Sequence, residues 1–242
     1  MDKLISNKNL IKISFKTVII IYFIFLCIDF ITKDLKNTYS VTLKYSAIVL
    51  CFIISLLIKS HGYGKRDKGL VQLARLFTLI ADYFLAISGN YIMGIFFFSL
   101  VQITYIIRHS IMENSKHKNL MFFIVSLSIA LTVSLRIEIA SIEKNLVVLA
   151  LIYASLLITS LYSSVSTITR GKYSQKTSWI IALGMFLFFM CDLNVGLYNI
   201  VAGDNIKFFQ GFLIWLFYLP SQLLLTLSGF KVQYLEKVFS NI

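Results

Sequence analysis

Two aspartates in apolar surroundings are the residues of this sequence best suited to chemistry. Asp82 and Asp192 each lie inside a run of residues that is otherwise almost entirely apolar. An ionisable side chain near the centre of a bilayer costs at least about 2.5 kcal/mol on insertion scales, so such a residue usually has a function and a partner. We therefore predict that the two aspartates, although far apart in sequence, share one cavity.

A pair of carboxyl groups in a cavity of low dielectric constant can perform acid and base chemistry. Burial and mutual repulsion raise the pKa of at least one member, so one carboxyl is protonated while the other is ionised. Such a pair titrates as one unit, and the sequence does not assign which aspartate is the acid.

Further polar and aromatic residues share helical faces with one another and with the aspartates. The spacing of three or four residues that separates them brings side chains to one side of a helix. At about 1.5 Å per residue, Asp82, Asp192 and Gln102 lie near the middle of the membrane. A lone polar residue in a membrane helix often only joins two helices, for about 0.6 kcal/mol, and this alternative stays open for Gln102 and Gln222. The other members of the predicted site are Tyr105, Tyr153 and Tyr218.

The composition shows which elements must position these side chains. Of the 242 residues, 58% are hydrophobic and 14% are charged, and the mean hydropathy is +0.81. Such a chain is too apolar for a soluble domain. Its apolar runs are continuous, whereas the strands of a membrane barrel alternate, so helices are predicted.

The sequence predicts an all-α, polytopic membrane bundle of eight transmembrane helices that forms a single domain over residues 1–242. The loops are short and leave no stretch for a separate soluble domain. The predicted spans are Ile13–Ile31, Val41–Ile58, Leu70–Ser88, Tyr91–Ile107, Asn119–Leu135, Leu146–Ser163, Ser178–Ile200 and Phe208–Gly229.

The distribution of basic residues predicts the orientation. The net charge is +12, from 23 Lys and Arg against 11 Asp and Glu. Most of these bases fall in the two termini and in the loops on the same side of the membrane, which places both termini in the cytoplasm. In this position they contact anionic headgroups, and no RNA or DNA motif is present, so the charge predicts membrane lipids and not nucleic acid as a partner.

Metal and cysteine chemistry are not expected. Cys27, Cys51 and Cys191 lie in apolar segments without metal-ligand spacing. The three histidines, His61, His109 and His117, lie in or beside loops and are expected to be solvated. Lys44 and Asp29 are expected to extend toward the headgroups at the outer surface.

The order of several short motifs resembles that of the YhhN family of integral membrane proteins, which includes the lysoplasmalogenases. The family's Gly-Asp in the third helix corresponds to Ala81-Asp82, and its Tyr-x-x-x-Gln in the eighth to Tyr218 and Gln222. Two positions depart: the family histidine is Gln102, and the proline after Lys44 is Tyr45. The other matching positions are Gly94, Val101, Tyr105, Gly184, Phe188, Cys191 and Asp192.

This resemblance implies eight helices and hydrolysis of the vinyl ether of a lysophospholipid, giving a fatty aldehyde and a glycerophospho-headgroup. Asp82 and Asp192 would be catalytic, Lys44 would attract the phosphate, and no cofactor would be required. A non-catalytic lysolipid-binding protein and a proton- or cation-coupled transporter remain alternatives. The expected location is the plasma (inner) membrane of a bacterium, and the oligomeric state is left open.

Overall fold

The computed structural model describes residues 2–110, 113–134 and 144–240. Within these ranges the chain is almost entirely helical, and a π-helical segment, Tyr83–Ser88, follows α3 directly. The α-helices are α1 Asp2–Thr32, α2 Thr38–Leu56, α3 Lys65–Asp82, α4 Tyr91–His109, α5 Glu113–Ser134, α6 Lys144–Val165, α7 Thr167–Arg170, α8 Gln175–Ile200, α9 Asp204–Leu227 and α10 Val232–Phe239.

Several helices begin at residues that cap the free N–H groups of a first turn. The Asn37 side chain accepts hydrogen bonds from the backbone of Tyr39 and Ser40 at the start of α2. Asn90 accepts one from Met93 in α4. Asparagine is favoured at such positions because its side-chain oxygen replaces the missing helical acceptor.

Seven of the described helical segments are long and apolar enough to cross a membrane. The apolar part of α5, His117–Thr132, is shorter, and the predicted end of this span, Leu135, lies outside the described residues. The prediction of an all-α, multi-pass membrane bundle is therefore confirmed. The count of eight spans and the cytoplasmic termini stay predictions.

Six helices form a closed ring. In the order α2, α3, α4, α6, α8 and α9, each helix packs against the next, and α9 packs against α2. Outside the ring, α1 packs on α2 and α9, and α5 packs on α6. Large apolar side chains on these outer helices, such as Phe23 and Met121, are exposed, as expected of a surface that faces lipid. Every residue of the predicted site lies on a ring helix.

Two irregularities interrupt the ring helices. Directly after Asp82 the backbone widens into the π-helical segment, a feature that is frequent at functional sites. Pro220 lies inside α9 and has no N–H for the carbonyl of Leu216. The Tyr22 hydroxyl of α1 donates to that carbonyl at 2.9 Å. A side chain from a neighbouring helix thus satisfies the backbone group that the proline leaves free.

Candidate active site

The first aspartate of the site is buried and has a tyrosine partner. Asp82 is the last residue of α3 and is 6% exposed. The Tyr218 hydroxyl of α9 donates to its Oδ2 atom at 2.6 Å. No lysine or arginine among the described residues lies within ion-pair distance of this carboxyl.

The second aspartate has the same kind of partner on the other side of the ring. The Tyr153 hydroxyl of α6 donates to Oδ2 of Asp192 in α8. Asp82 and Asp192 are equally far along α3 and α8 from the start of each helix. Asp192 and Tyr153 are partly exposed, whereas Asp82 and Tyr218 are buried.

Aromatic rings connect the two tyrosine–aspartate pairs. The ring of Phe98, on α4, lies 6.3 Å from the rings of both Tyr153 and Tyr218. Phe188, on α8, contacts Phe98 at 5.8 Å and Tyr218 at 5.9 Å. These rings form an apolar wall between the two tyrosines, and an apolar surrounding favours the neutral form of an acid.

Close helix packing beside this wall depends on a glycine. A Cβ atom on Gly184 would lie 2.9 Å from Cγ of Leu225, so a larger residue would separate α8 from α9. Glycine at position 184 of the predicted face therefore allows α8 and α9 to pack closely.

Gln102 lies inside the ring without a hydrogen-bond partner. It is completely buried, and neither its amide oxygen nor its amide nitrogen meets a donor or acceptor within the described ranges. It lies beside the Tyr153 hydroxyl, but the two groups do not have the geometry of a hydrogen bond. A buried amide that makes no hydrogen bond costs about 1–3 kcal/mol, which favours a role toward a bound polar group.

Arg75 belongs to this site, although the sequence analysis did not select it. It lies two turns before Asp82 on α3 and is 1% exposed. Its guanidinium donates to the carbonyl and side-chain oxygens of Gln222 and to the Tyr105 hydroxyl, while its Nε has no partner among the described residues. The sequence could have indicated Arg75, because its spacing of seven residues from Asp82 places both side chains on the same face of α3.

The expectation that Lys44 and Asp29 extend toward the headgroups is wrong. Lys44 is 1% exposed and Asp29 is completely buried. Lys44 Nζ lies 2.8 Å from an Asp29 carboxylate oxygen, and Ser40 donates to the other oxygen. Each charge finds its counter-ion within the protein because α1 packs on α2. Lys44 is thereby neutralised, 5.1 Å from the ring of Trp215.

A second polar cluster lies at the opposite end of α3. Arg108 donates from Nε and Nη2 to the two carboxylate oxygens of Asp67, both at 3.2 Å, and Lys172 Nζ lies 3.3 Å from Asp67. Tyr173 also donates to this carboxylate. Burial lowers the pKa of Lys172 to about 8, although Asp67 opposes the shift, and burial raises the pKa of Tyr173.

The histidines have no common site. His117 is exposed and His61 is half-buried, but the expectation that His109 is solvated is wrong. It is 2% exposed and stacks on Tyr105 with 5.7 Å between ring centroids, because α4 continues past the predicted end of its span. Over the ranges that the structure describes, no group of three or more His, Cys, Asp or Glu residues is arranged to hold a metal ion.

Comparison with known proteins identifies a family for this chain. The model of the YhhN family matches residues 39–229, which include every residue of the site described above. No curated protein and no solved structure matches the chain significantly. Because the family match covers most of the sequence and both aspartates, the chain belongs to the YhhN family.

Proposed function

We propose that this protein is an integral membrane hydrolase that cleaves the vinyl-ether bond of a lysoplasmalogen. The observation that carries the proposal is the pair of aspartates, Asp82 and Asp192, each hydrogen-bonded to a tyrosine and without an ion-pair partner among the described residues. Two such carboxyls near an apolar wall supply one protonated acid and one base.

The chemistry begins with protonation of carbon. One aspartic acid transfers its proton to the second carbon of the alkenyl chain, and the first carbon becomes an oxocarbenium ion. The other aspartate, as the carboxylate, stabilises this cation and then takes a proton from a water molecule that adds to it. The hemiacetal then breaks its bond to glycerol: the second aspartic acid gives its proton to the leaving glycerol oxygen, and the first aspartate takes the proton of the hemiacetal hydroxyl. Both carboxyls return to their starting forms, one water is consumed, and a fatty aldehyde and a glycerophospho-headgroup are released.

Arg75 is the residue that we assign to the substrate phosphate. It is buried, has a free Nε–H, and lies on the face of α3 that also carries Asp82. Lys44 is less suited to this role because Asp29 already neutralises it. In this arrangement the headgroup lies toward Arg75 and the alkenyl chain toward the π-helical segment. Gln102 and Tyr105 orient water and headgroup by hydrogen bonds.

Substrate entry is assigned to the side of Asp192. Asp192 and Tyr153 are partly exposed between α6 and α8, whereas Asp82 and Tyr218 are buried. A lysolipid is already dissolved in the bilayer, so it reaches such a site laterally, and the apolar side chains of the ring hold its chain without a cofactor.

One alternative function is lysolipid binding without cleavage. Gln102 favours it, because an amide replaces the histidine of the family motif and cannot transfer a proton. A transporter is the alternative from another class, since intramembrane carboxyls also carry protons. The π-helical segment and Pro220 are irregularities of the kind that transporters use.

Aldehyde release from purified protein tests the proposal. Protein in vesicles is incubated with a lysoplasmalogen and, as a control, with the saturated alkyl-ether lysolipid, whose chain has no double bond to protonate. Aldehyde from the first substrate alone is expected, with deuterium at the carbon next to the carbonyl when the reaction runs in D2O. Binding of both lipids without aldehyde would support the binding protein and contradict the hydrolase.

A further inference from the structure

A surface pocket of about 370 Å³ lies where the loop between α2 and α3 meets α10. It is separate from the candidate active site and shares no residue with it. The pocket is at the level where membrane helices begin and end: Lys8 lies at the start of the first span, His61 lies between two spans, and Lys231 follows the last span. Its lining residues are Lys8, Ser60, His61, Lys231, Gln233, Tyr234 and Lys237.

The backbone holds this pocket in a defined shape. Gly62 forms an isolated β-bridge with Phe230, and the Lys231 N–H donates to the carbonyl of His61 at 2.8 Å. A Cβ atom on Gly62 would lie 2.9 Å from the carbonyl oxygen of Gly229, so glycine is required for this close approach. The contact fixes the start of α10 against the loop that carries His61.

The lining is strongly basic and has no internal counter-ion. Lys8, Lys231 and Lys237 make no ion pair with any described residue. The nearest acidic residue on α10, Glu236, is instead paired with Lys176 at 2.6 Å. Burial, together with Lys8 and Lys59, lowers the pKa of His61, which is the direction expected in a positive potential.

The pocket also contains hydrogen-bond donors without an acceptor among the described residues. The N–H groups of Tyr234 and Leu235 donate to the carbonyl of Lys231, but no side chain caps the first turn of α10, so the positive end of the helix dipole faces the region of Lys231 and Gln233. Tyr234 is 8% exposed, stacks on His61 at 3.7 Å, and its buried hydroxyl has no partner among the described residues. An uncapped helix start, an unpartnered hydroxyl and three lysines together form an anion site.

We propose that this pocket binds the phosphate group of an anionic phospholipid from the adjacent leaflet. A phosphate accepts several hydrogen bonds, and its negative charge supplies the counter-ion that the three lysines do not have among the described residues. A lipid is favoured over free phosphate because the pocket lies at the level of the headgroups, where the acyl chains of a bound lipid can run along the exposed apolar surface of α1. Lipids of this class are then expected to stabilise the protein independently of any catalytic activity.

Lipid-dependent stability in detergent is the measurement that tests this site. The unfolding temperature is recorded with added phosphatidylglycerol, phosphatidylcholine or inorganic phosphate, and binding of phosphatidylglycerol is measured by native mass spectrometry. In the parent protein, phosphatidylglycerol is expected to raise the unfolding temperature, and the other two additives much less. An equal effect of inorganic phosphate would overturn the lipid assignment.

Two variants locate the effect. Lys8→Gln/Lys231→Gln/Lys237→Gln is expected to weaken binding of phosphatidylglycerol about 100-fold, because each of the three lysines near an anionic surface contributes about a factor of five. The control, Lys65→Gln/Arg66→Gln/Lys68→Gln, removes three charges from the same face outside the pocket and is expected to bind as the parent does. Equal losses in both variants would show a general charge effect and overturn the proposal.

A charge-neutral variant keeps the test independent of net charge. Tyr234→Phe retains the ring that stacks on His61 and removes only the unpartnered hydroxyl, so folding is expected to be unchanged. A loss of about fivefold in phosphatidylglycerol affinity is expected, equivalent to one hydrogen bond. Unchanged affinity in this variant would remove Tyr234 from the site and contradict the geometry proposed here.

Discussion

Asp67 and Asp82 stand near opposite ends of α3, and both are buried, but their partners differ in kind. Asp67 is held by Arg108 at 3.2 Å, by Lys172 at 3.3 Å and by the Tyr173 hydroxyl. Asp82 has the Tyr218 hydroxyl at 2.6 Å and no cation within ion-pair distance among the described residues. One helix therefore carries a carboxylate whose charge is fully compensated and a carboxyl whose charge is not.

This difference separates a structural acid from one that can exchange a proton. Bidentate contact with a guanidinium fixes a carboxylate in its ionised form, and the Asp67 cluster ties the start of α3 to the end of α4 and, through Ser228, to the end of α9. A carboxyl whose only partner is a hydroxyl is not fixed in its ionised form, so it can hold a proton and transfer it. We therefore expect Asp82 and Asp192 to carry out the acid and base chemistry, and Asp67 to stabilise the fold.

The largest expected effect is on catalysis. Asp82→Asn and Asp192→Asn are each expected to reduce aldehyde release by at least about 100-fold, the usual contribution of a positioned acid or base. Folding is expected to survive, because an asparagine oxygen still accepts from Tyr218 or Tyr153. Turnover is measured beside helicity and unfolding temperature. Near-normal hydrolysis by either variant would contradict the two-aspartate mechanism.

The sequence predicts the residues around Asp82 better than it predicts the Asp67 cluster. Asp82, Gln102 and Asp192 are conspicuous because each interrupts an apolar run, and helical spacing indicates the face on which each lies. The Asp67 cluster gives no such signal, because its members lie near loops where charged residues are usually solvated. Their pairing depends on how the ends of α3, α4 and α9 meet, which is a property of the tertiary packing.

The sequence also does not predict the Lys44–Asp29 pair, whose members lie within two of the predicted spans. The sequence places both residues near the outer ends of α1 and α2, where a long basic side chain normally reaches water. Only the packing of α1 on α2 brings the two charges within 2.8 Å. Local spacing along one helix therefore predicts shared faces, but not which charges on different helices neutralise each other.

The next effect concerns stability. Asp67→Ala leaves Arg108 buried without its carboxylate and is expected to lower the free energy of unfolding by about 3–5 kcal/mol. Glu236→Ala, which breaks the exposed pair with Lys176, is the matched control and is expected to cost less than about 1 kcal/mol. Unfolding is followed in detergent. Similar losses in both variants would show that the Asp67 cluster is not the structural anchor described here.

Arg75 and Arg108, which are both buried, extend the comparison to substrate binding. Arg108 is paired with Asp67, whereas the partners of Arg75 among the described residues are neutral, so Arg75→Gln is expected to weaken binding of the phospholipid substrate. An increase in KM of about 10- to 100-fold is expected, the loss of a hydrogen bond to a charged group. A neutral alkenylglycerol, which has no phosphate, should be cleaved equally well by the parent and the variant. An equal loss on both substrates would remove the phosphate role from Arg75.

The smallest expected effect is at Gln102, the position where this chain departs from its family. An amide can orient water or substrate but has no proton to transfer. If the aspartates carry the proton chemistry, Gln102→Ala should lower kcat/KM by no more than about tenfold, the value of one neutral hydrogen bond. Gln102→His should equal or exceed the parent.

A histidine-dependent mechanism makes the opposite prediction for the same variants. If the residue at position 102 must donate or accept the proton, the parent is nearly inactive, Gln102→Ala changes nothing, and Gln102→His creates activity. The pH dependence of aldehyde release adds a second criterion, because a catalytic histidine introduces a titration near its ordinary pKa of about 6.5 that the parent lacks. An inactive parent that gains this titration with histidine would refute the assignment of acid and base to Asp82 and Asp192. An active parent whose pH profile is unchanged in Gln102→His would leave orientation as the role of position 102.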